Sequence, residues 1–322
     1  MIDVNISVFN VKLKNNKKMK NSVPQLNAST SKVVNSLIDN VLNSPNFSWE
    51  KTWKNIATGA SPYNPVTKNQ YTGFNKFILQ LNAAIKGTNQ FATFNQISKA
   101  GGKVIKGSKS IPLLFFTWKY YSSITKKSYD QKDIAKLPVN IQNSLSKYPF
   151  HNYFSVFSMN DVENLEFPEI KIEEKNQPLE SAQKIIENWE CDIKIGQDNE
   201  RAFYAPSMDF INMPHLQAFK SAENFYMTAF HEIAHSTGHE KRLKRDMSGM
   251  FGNDKYAKEE LVAELSSVLV GANLNILNDE IIKNATAYLK SWTKRMQDKK
   301  NELFQGLNHA IKAYDYIMNA GN

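Results

Sequence analysis

The most informative residues of the second half of this chain are His231-Glu232-Ile233-Ala234-His235. On a helix, two histidines four positions apart lie on one face with Cβ atoms roughly 5–6 Å apart. Both imidazoles can therefore bind a single Zn²⁺ at about 2.0–2.1 Å. The intervening Glu232 then lies beside the metal, where it can take a proton from a metal-bound water. Ser221 as an N-cap and Gly238 as a C-terminal stop predict a helix around this motif.

A motif this short also arises by chance. On the order of one chain in a hundred of this composition would contain it. The alternative interpretation is a partly buried helix that carries two structural histidines. An acidic run downstream, Glu259 to Leu265, favours the metal site.

That run has a helical pattern and supplies the third protein ligand that a two-His zinc site needs. Glu260 follows His235 by 25 residues, enough for a loop and a returning helix, and we predict it as the third ligand. Glu264, one turn later, would accept a hydrogen bond from the free N–H of a ligand His. The two glutamates share a face, so their roles could be exchanged. Glu259 points about 100° away and is expected in solvent.

The residues after the motif exclude one large class of metallopeptidases. Metzincins carry a third His in HExxHxxGxxH, and here that position is Lys241. His239 could help to stabilise an oxyanion, but a structural or surface role is the favoured interpretation. The pattern predicts a zinc metallopeptidase of the HExxH…E type, gluzincin-like, with a protein or peptide as substrate.

The net charge of +9 conceals a division between the two halves. Residues 1–150 hold 21 Lys, no Arg and five acidic residues, a balance of +16, whereas residues 151–322 have a balance of −7. This division indicates two domains with different partners, and the basic half is a credible platform for nucleic acid. A general bias towards Lys is the alternative, but the acidic half is rich in Lys as well, so bias does not explain the asymmetry.

Cysteine content and hydropathy limit the class of protein further. Cys191 is the single cysteine, which excludes a disulfide framework and fits a reducing compartment. No apolar run approaches 18 residues, so we expect no membrane span and no membrane partner. The polar N-terminus has no hydrophobic signal core. We therefore expect a cytoplasmic protein.

We divide the chain into a flexible basic arm (1–28), a mixed α+β domain that binds single-stranded DNA (29–160), an acidic linker (161–180) and a domain with the HExxH motif (181–322). The second domain would combine a small sheet with the active-site helices. The predicted fold class is α+β.

Apolar periodicity and turn residues predict the individual elements. In the first domain we expect helices from Thr30, Asn75 to Lys86 and Thr93 to Ala100, a loop from Trp49 to Tyr71, a basic hairpin arm from Lys103 to Lys109, and strands at Ile111–Tyr121 and Tyr153–Phe157. In the second we expect helices near 181–189, 258–272 and 284–318, and strands at 192–195, 202–205 and 210–213.

The first domain interleaves aromatic rings with lysines. Binders of single-stranded nucleic acid hold the phosphate backbone in a positive groove and stack the bases on aromatic rings. The rings considered are Trp53, Tyr63, Tyr71, Phe74, Trp118, Tyr120 and Tyr121, of which about half are expected in the core. The alternation of Phe116 and Trp118 with Thr117 and Lys119 predicts that one face of this strand is buried. The candidate DNA contacts are Lys54, Tyr71, Lys103, Lys106, Lys109 and Trp118, with single-stranded DNA as the partner and duplex DNA as an alternative.

Short motifs across both halves point to one family. In the first half they are Asn55, Thr58, Gly59, Tyr71, Gly73, Asn75, Leu79, Thr93, Gln96, Gly101, Gly102, Val104, Lys106 and Gly107. In the second half they are Arg201 to Tyr204, Pro206-Ser207, Ser221 to Glu223, His231 to His239, Arg242-Leu243, Phe251-Gly252, Tyr256-Ala257 and Glu259 to Leu265. Together they resemble the ArdC family of plasmid antirestriction proteins over roughly residues 30–318.

The resemblance implies an N-terminal domain that binds single-stranded DNA and a C-terminal zincin-like metallopeptidase domain. It also implies protection of incoming plasmid or phage DNA from host restriction enzymes. His231, His235 and Glu260 match the zinc ligands of the family position by position, and Glu232 matches as well.

Two other functions remain open. The chain could be a non-enzymatic shield that blocks restriction by occupying DNA, with a structural metallopeptidase-like domain. It could also be a replication-linked primase accessory, because a similar N-terminal domain accompanies primase-like plasmid proteins. The first half has no obvious acidic polymerase triad, so this second alternative has less support.

Overall fold

A computed structural model describes residues 26–168, 178–198, 201–248, 254–296 and 298–320. The fold is α+β with two domains, as the sequence predicts. The helices are α1 Ala28–Leu37, α2 Trp49–Ala57, α3 Gly73–Lys86, α4 Phe94–Lys99, α5 Val139–Gln142, α6 Pro178–Glu187, α7 Ala222–Ser236, α8 Asp254–Asn273, α9 Asp279–Met296 and α10 Lys300–Ala320. The strands are β1 Phe91–Thr93, β2 Lys103–Val104, β3 Ile111–Ser122, β4 Ser128–Asp130, β5 Leu145–Ser158, β6 Val162–Glu163, β7 Asp192–Ile195, β8 Phe203–Ala205 and β9 Phe210–Met213.

The sheet of the first domain has the strand order β1-β5-β3-β4, with all pairs antiparallel. Strands β3 and β5 pair over twelve positions, from Ile111 opposite Val156 to Ser122 opposite Leu145. Helix α1 packs against both strands. The amide of Asn75, at the start of α3, donates to the carbonyl of Leu114 at 2.8 Å and accepts from its N–H at 2.8 Å. These contacts hold the base of the long two-stranded ribbon that β3 and β5 form, which we call the ribbon.

Beyond Leu114, the ribbon departs from the sequence-based expectation. Ile111 and Leu113 are buried, but Phe115 is 49% exposed and Phe116 is 42% exposed. The prediction that the face carrying Phe116 and Trp118 is buried is therefore wrong. Alternation does predict that one face differs from the other, but the outer half of the ribbon extends past the helices that cover its base.

Two further expectations for the first domain are wrong. The predicted loop from Trp49 to Tyr71 begins with helix α2, which the side chain of Ser48 caps by accepting from the N–H of Lys51. The predicted hairpin arm at Lys103 does not pair with the strand that follows it. Instead β2 pairs with β6, so the beginning of the predicted acidic linker belongs to a sheet of two strands.

The second domain contains a three-stranded sheet in the order β7-β9-β8, so β8 is an edge strand. The three short strands lie where the sequence predicts them. Helix α7 packs against β8, β9 and α8, and α8 packs against α10. The single helix predicted over 284–318 is in fact two helices, α9 and α10, which are interrupted between Met296 and Lys300.

The two domains share one hydrophobic core. Buried side chains of the first domain belong to the same contiguous cluster as those of α7 to α10. The first-domain members include Leu37, Trp53, Phe77 and Leu81. Trp53 is 0% exposed and is therefore not a surface for stacking bases. Because α2 packs against α8, the first domain forms part of the support of the helix that carries Glu260.

Across the described ranges, no helix combines the length and the apolar character that a membrane crossing would require.

Candidate metal centre

Helix α7 positions the two histidines of the motif. It begins as predicted, with the Ser221 side chain accepting from the N–H of Asn224 at 3.3 Å. Phe230 and Ile233 are 0% exposed and anchor one face of α7 in the core. His231 and His235 lie on the face that looks towards α8, four residues apart, so that their rings approach each other with centroids 4.8 Å apart.

Helix α8 brings Glu260 to this pair. The Nε2 atoms of His231 and His235 are 3.2 Å apart. One carboxylate oxygen of Glu260 lies 3.6 Å from the Nε2 of His231, and the other lies 3.4 Å from the Nε2 of His235. Two ligand atoms at 2.0–2.1 Å from a tetrahedral metal are separated by about 3.3 Å. The three donor groups therefore have the spacing and the chemistry of a tetrahedral site with one open position.

The Nδ1 atoms of both histidines face further glutamates of α8. Glu264 lies 3.5 Å from the Nδ1 of His231, and Glu259 lies 3.4 Å from the Nδ1 of His235. This geometry favours Glu260 over Glu264 as the third ligand, because Glu264 is on the far side of the ring. The expectation that Glu259 is solvated is wrong, since its side chain is only 13% exposed. Neighbouring positions on α8 point 100° apart, yet both reach His235, one at each ring nitrogen.

Arg245 holds Glu259 in place and was not singled out from the sequence. Its Nη2 donates to one oxygen of Glu259 at 2.6 Å and its Nε to the other at 3.0 Å. The same guanidinium donates to the Thr237 hydroxyl at 2.6 Å and to the Ala234 carbonyl at 2.8 Å. Burial acts to raise the pKa of Glu259, but the hydrogen bonds from His235 and Arg245 outweigh it and lower this pKa. The arginine therefore ties the carboxylate to the end of α7.

The carboxylates stabilise positive charge between the two imidazoles. Burial acts to lower the pKa of His231, but hydrogen bonds with Glu260 and Glu264 raise it to about 10. Burial acts to raise the pKa of Glu260, but hydrogen bonds with both histidines lower it strongly. Such surroundings favour a cation, whether protons or a metal ion.

Glu232 and Tyr256 line the same cleft as the three donor groups, a cavity of about 380 Å³. Glu232 is 9% exposed, so its carboxylate is largely removed from water. Tyr256 precedes Glu260 by one turn of α8. Burial raises the pKa of Tyr256, and a hydrogen bond to Glu260 raises it further. The sequence contains a signal for Tyr256 in its spacing from Glu260, but no role was assigned to it.

His239 does not join this group through its Nδ1, which lies 3.6 Å from Asp209. Asp209 accepts hydrogen bonds from Arg242, whose side chain is 1% exposed, and from the Tyr204 hydroxyl at 2.9 Å. This cluster ties the β8–β9 turn to the loop after α7. The structural interpretation of His239 is therefore the better one.

The six candidate DNA contacts do not converge on one surface. Lys54 forms an ion pair with Glu50 at 2.9 Å on α2, a helix that packs against α9 of the second domain. The Tyr71 hydroxyl donates to the carbonyl of Phe91 at 2.9 Å, and burial raises its pKa to about 12. Lys103 lies 3.3 Å from Glu163.

The remaining three candidates are near or on the ribbon. Lys106 and Lys109 are exposed in the loop before β3, and Trp118 is partly exposed on β3 itself. Phe116 and Lys147 lie beside Trp118, and His151 lies beside Phe116; these three residues were not among the candidates. The pairing of two distant strands brings them there, which no local pattern indicates.

Comparison with known proteins assigns a family to each half. Residues 27–157 match the N-terminal domain of the anti-restriction factor ArdC, and residues 180–309 match a zincin-like metallopeptidase domain. The second match implies a metal site in this domain.

Among curated proteins, two DNA primases named TraC from Escherichia coli are 34% identical over 276 residues and 33% identical over 274 residues, each covering 84% of this chain. The chain spans only 25% and 18% of the length of these relatives. An uncharacterized protein, y4eC, from Sinorhizobium fredii is 27% identical over 259 residues, which cover 80% of each chain.

Among solved structures, the antirestriction protein ArdC of plasmid R388 matches in a metal-free and a Mn(II)-bound form. Each match has a TM-score of 0.60 and 26% identity, and covers 91% of this chain and 96% of that chain. This agreement extends through both domains. With its ArdC N-terminal domain followed by a zincin-like metallopeptidase domain, the chain belongs to the ArdC-like antirestriction proteins.

Proposed function

We propose that this chain is an antirestriction protein of a mobile element, with a zinc-dependent peptidase centre in the second domain and a first domain that binds single-stranded DNA. The observation that carries the peptidase proposal is the set of donor atoms of His231, His235 and Glu260, all within 4.8 Å of one another, beside the buried Glu232. The protein would act in the cytoplasm, where incoming DNA meets restriction enzymes.

In this proposal His231, His235 and Glu260 hold the zinc ion. When bound, the ion supplies polarisation of a peptide carbonyl and activation of water. Glu232 accepts the proton of the attacking water and returns it to the departing amine. Tyr256, which lines the same cleft, would donate a hydrogen bond to the carbonyl oxygen as negative charge develops on it.

The edge strand β8 supports an extended peptide as substrate. Phe203 and Tyr204 of β8 line the cleft together with His231 and Glu232. Because β8 pairs only with β9 among the described strands, its other edge is available to a peptide backbone. Addition of a strand to such an edge is a common mode of peptide recognition.

The first experiment measures zinc by elemental analysis in the purified wild type and in His235→Ala. About one zinc per chain in the wild type, lost in the variant, is the expected result. No metal in either protein would refute the zinc proposal. Hydrolysis of a fluorescently labelled casein is then compared between wild type and Glu232→Ala. The variant should keep its zinc and lose hydrolysis, and equal cleavage by both would exclude Glu232 as the base.

A non-enzymatic DNA shield is the second candidate, and the exposed aromatic rings and lysines of the ribbon favour it. Plasmid protection against a restricting host separates the two candidates. Protection that survives Glu232→Ala would favour the shield, whereas protection that is lost with the fold intact would favour the peptidase. A replication-linked role is suggested by the TraC relatives, which are named as primases. It predicts that loss of this protein impairs plasmid transfer and not protection against restriction.

A further inference from the structure

The outer half of the β3–β5 ribbon carries different side chains on its two faces. Alternate residues of a strand, and residues directly opposite each other on antiparallel strands, lie on the same face. The pairs Leu114–Tyr153, Phe116–His151, Trp118–Pro149 and Tyr120–Lys147 therefore share one face, which we call the Trp118 face. The pairs Phe115–Asn152, Thr117–Phe150, Lys119–Tyr148 and Tyr121–Ser146 form the opposite face.

The rings of the Trp118 face form a row in which neighbouring rings meet edge to face. The Phe116 ring lies 5.3 Å from the Trp118 ring and 5.2 Å from the His151 ring, measured between centroids. The Nζ of Lys147 lies 4.4 Å from the centroid of the Trp118 ring. At the base of the ribbon, the Nζ of Lys32 donates to the Tyr153 hydroxyl at 2.6 Å. A lysine ammonium group thus lies at each end of this row of rings, that of Lys147 near Trp118 and that of Lys32 near Tyr153.

The opposite face is less suited to binding a polyanion. Its lysine, Lys119, lies 4.6 Å from the Phe150 ring but also 3.8 Å from a carboxylate oxygen of Asp130. Phe115 and Tyr121 are exposed on this face.

Exposed aromatic residues at this density indicate a binding surface, because monomeric proteins seldom leave contiguous apolar rings in water. The charge of the ribbon limits the partner. Residues 115–151, which include the segment that connects β3 to β5, hold six lysines against two aspartates, and Lys119 and Lys147 lie on the two strands themselves. An apolar protein partner would have to bury these lysines, whereas a nucleic-acid backbone neutralises them and releases counterions.

We propose that the Trp118 face binds single-stranded DNA by stacking two or three unpaired bases on Phe116, Trp118 and His151, with Lys147 and Lys32 on the flanking phosphates. This inference rests on the proposed DNA binding of the first domain and names its surface. From Phe116 to Tyr120 the strand rises about 13 Å, a length comparable to that of sheets on which aromatic residues stack two or three bases. Bases in a duplex are already stacked on each other, so duplex DNA cannot use these rings in this way.

The test is fluorescence anisotropy of the full-length protein with a labelled 20-mer of oligo(dT). Trp118→Ala and Phe116→Ala should each weaken binding roughly tenfold or more, because each removes a stacking partner. Lys147→Ala should reduce the slope of log affinity against log salt by about 0.7, the value for one phosphate contact on a single strand. Phe115→Ala and Tyr121→Ala are matched controls on the opposite face and should bind within about twofold of wild type. Circular dichroism and thermal melting confirm that each variant is folded.

Different failures separate this inference from the proposed function. If wild type does not bind oligo(dT), the proposed DNA binding fails together with the inference. If wild type binds but the variants of the two faces lose affinity equally, or Trp118→Ala binds as wild type does, the inference alone is overturned. Tighter binding to a duplex or to oligo(U) would reassign the partner. If Trp118→Ala binds DNA as wild type does but has a lower mass in light scattering, the Trp118 face is a contact between copies of this chain.

Discussion

Replacement of Glu259 by Gln should weaken metal binding although Glu259 is not a predicted ligand. Its carboxylate lies 3.4 Å from the Nδ1 of His235, whose Nε2 faces Glu260. A carboxylate in this position fixes the ring orientation and raises the basicity of the ligand nitrogen, and its loss typically lowers metal affinity 10–100-fold. Gln keeps an acceptor but removes the charge, so we expect about tenfold for Glu259→Gln, or about 1.4 kcal/mol, and a larger loss for Glu259→Ala.

The Ala variant also tests the fold, because it leaves Arg245 without its ion-pair partner. The side chain of Arg245 is 3% exposed, and removal of one partner of a buried pair destabilises by about 3–5 kcal/mol. Two hydrogen bonds of the guanidinium, to Thr237 and Ala234, remain. Glu259→Gln also removes the counter-charge of Arg245 but keeps one acceptor oxygen for the guanidinium. We therefore expect both variants to melt below wild type, with the larger decrease for Glu259→Ala.

The assay is competition for zinc against a chromophoric chelator at fixed pH. The carboxylate of Glu264 lies 3.5 Å from the Nδ1 of His231. Glu264→Gln should therefore lower the zinc affinity by a factor similar to that for Glu259→Gln. Glu280→Gln is the matched control, since this glutamate pairs with Lys220 at 2.9 Å and is 54% exposed. If folded Glu259→Gln binds zinc within twofold of wild type, the argument that Glu259 positions His235 is refuted.

Three further predictions concern other parts of the molecule. Burial acts to raise the pKa of Asp209, but hydrogen bonds from Arg242 and Tyr204 lower it to about 2. The ionised carboxylate therefore stabilises the fold fully above its unfolded pKa near 3.9, and this contribution is lost as the pH falls through 2, so Asp209→Asn should remove about 2 kcal/mol of the pH dependence of the free energy of unfolding in urea. An unchanged pH profile in this variant would contradict the assignment. Trp53→Ala should destabilise the chain by about 3–5 kcal/mol and lower the melting temperature of both domains together, because Trp53 is 0% exposed in the shared core; two separate transitions, of which only one shifts, would argue against a common core. Tyr256→Phe should retain zinc but slow casein hydrolysis by at least about tenfold, and equal rates would exclude Tyr256 as a hydrogen-bond donor to the substrate.

Much of the metal centre could be predicted because its signals are short-range. The spacing of His231 and His235 places them on one helical face whatever surrounds the helix. The run of apolar and aromatic residues from Ile111 to Tyr121 predicts a strand in the same way, and β3 lies at Ile111–Ser122. The sequence predicts Glu260 as the third ligand but leaves an exchange with Glu264 open, since both lie on the same face of α8. The packing of α8 against α7 favours Glu260, because Glu264 faces the Nδ1 of His231.

The errors occur where a local pattern has two physical explanations. Trp53 was one of the aromatic residues considered for stacking, of which about half were expected in the core, and it belongs to the buried half because α2 packs against α8 and α9. Phe116 and Trp118 alternate as in a half-buried strand, but burial requires a second layer, and the outer ribbon extends beyond the helices at its base. Glu259 is polar on a helix and would normally face solvent, yet it meets Arg245, 14 residues earlier in the chain.

Local patterns in the sequence predict the helix with its two histidines, the acidic helix that follows it, the α+β class and the separation of charge between the halves. Each of these depends on composition or on neighbours within one or two turns. Three properties become visible only in the folded chain: which glutamate faces which ring nitrogen, which aromatic residues are exposed, and that both domains share a core. The reason is that these properties depend on contacts between elements distant in sequence, and the geometry of such contacts is set by the packing of the whole chain.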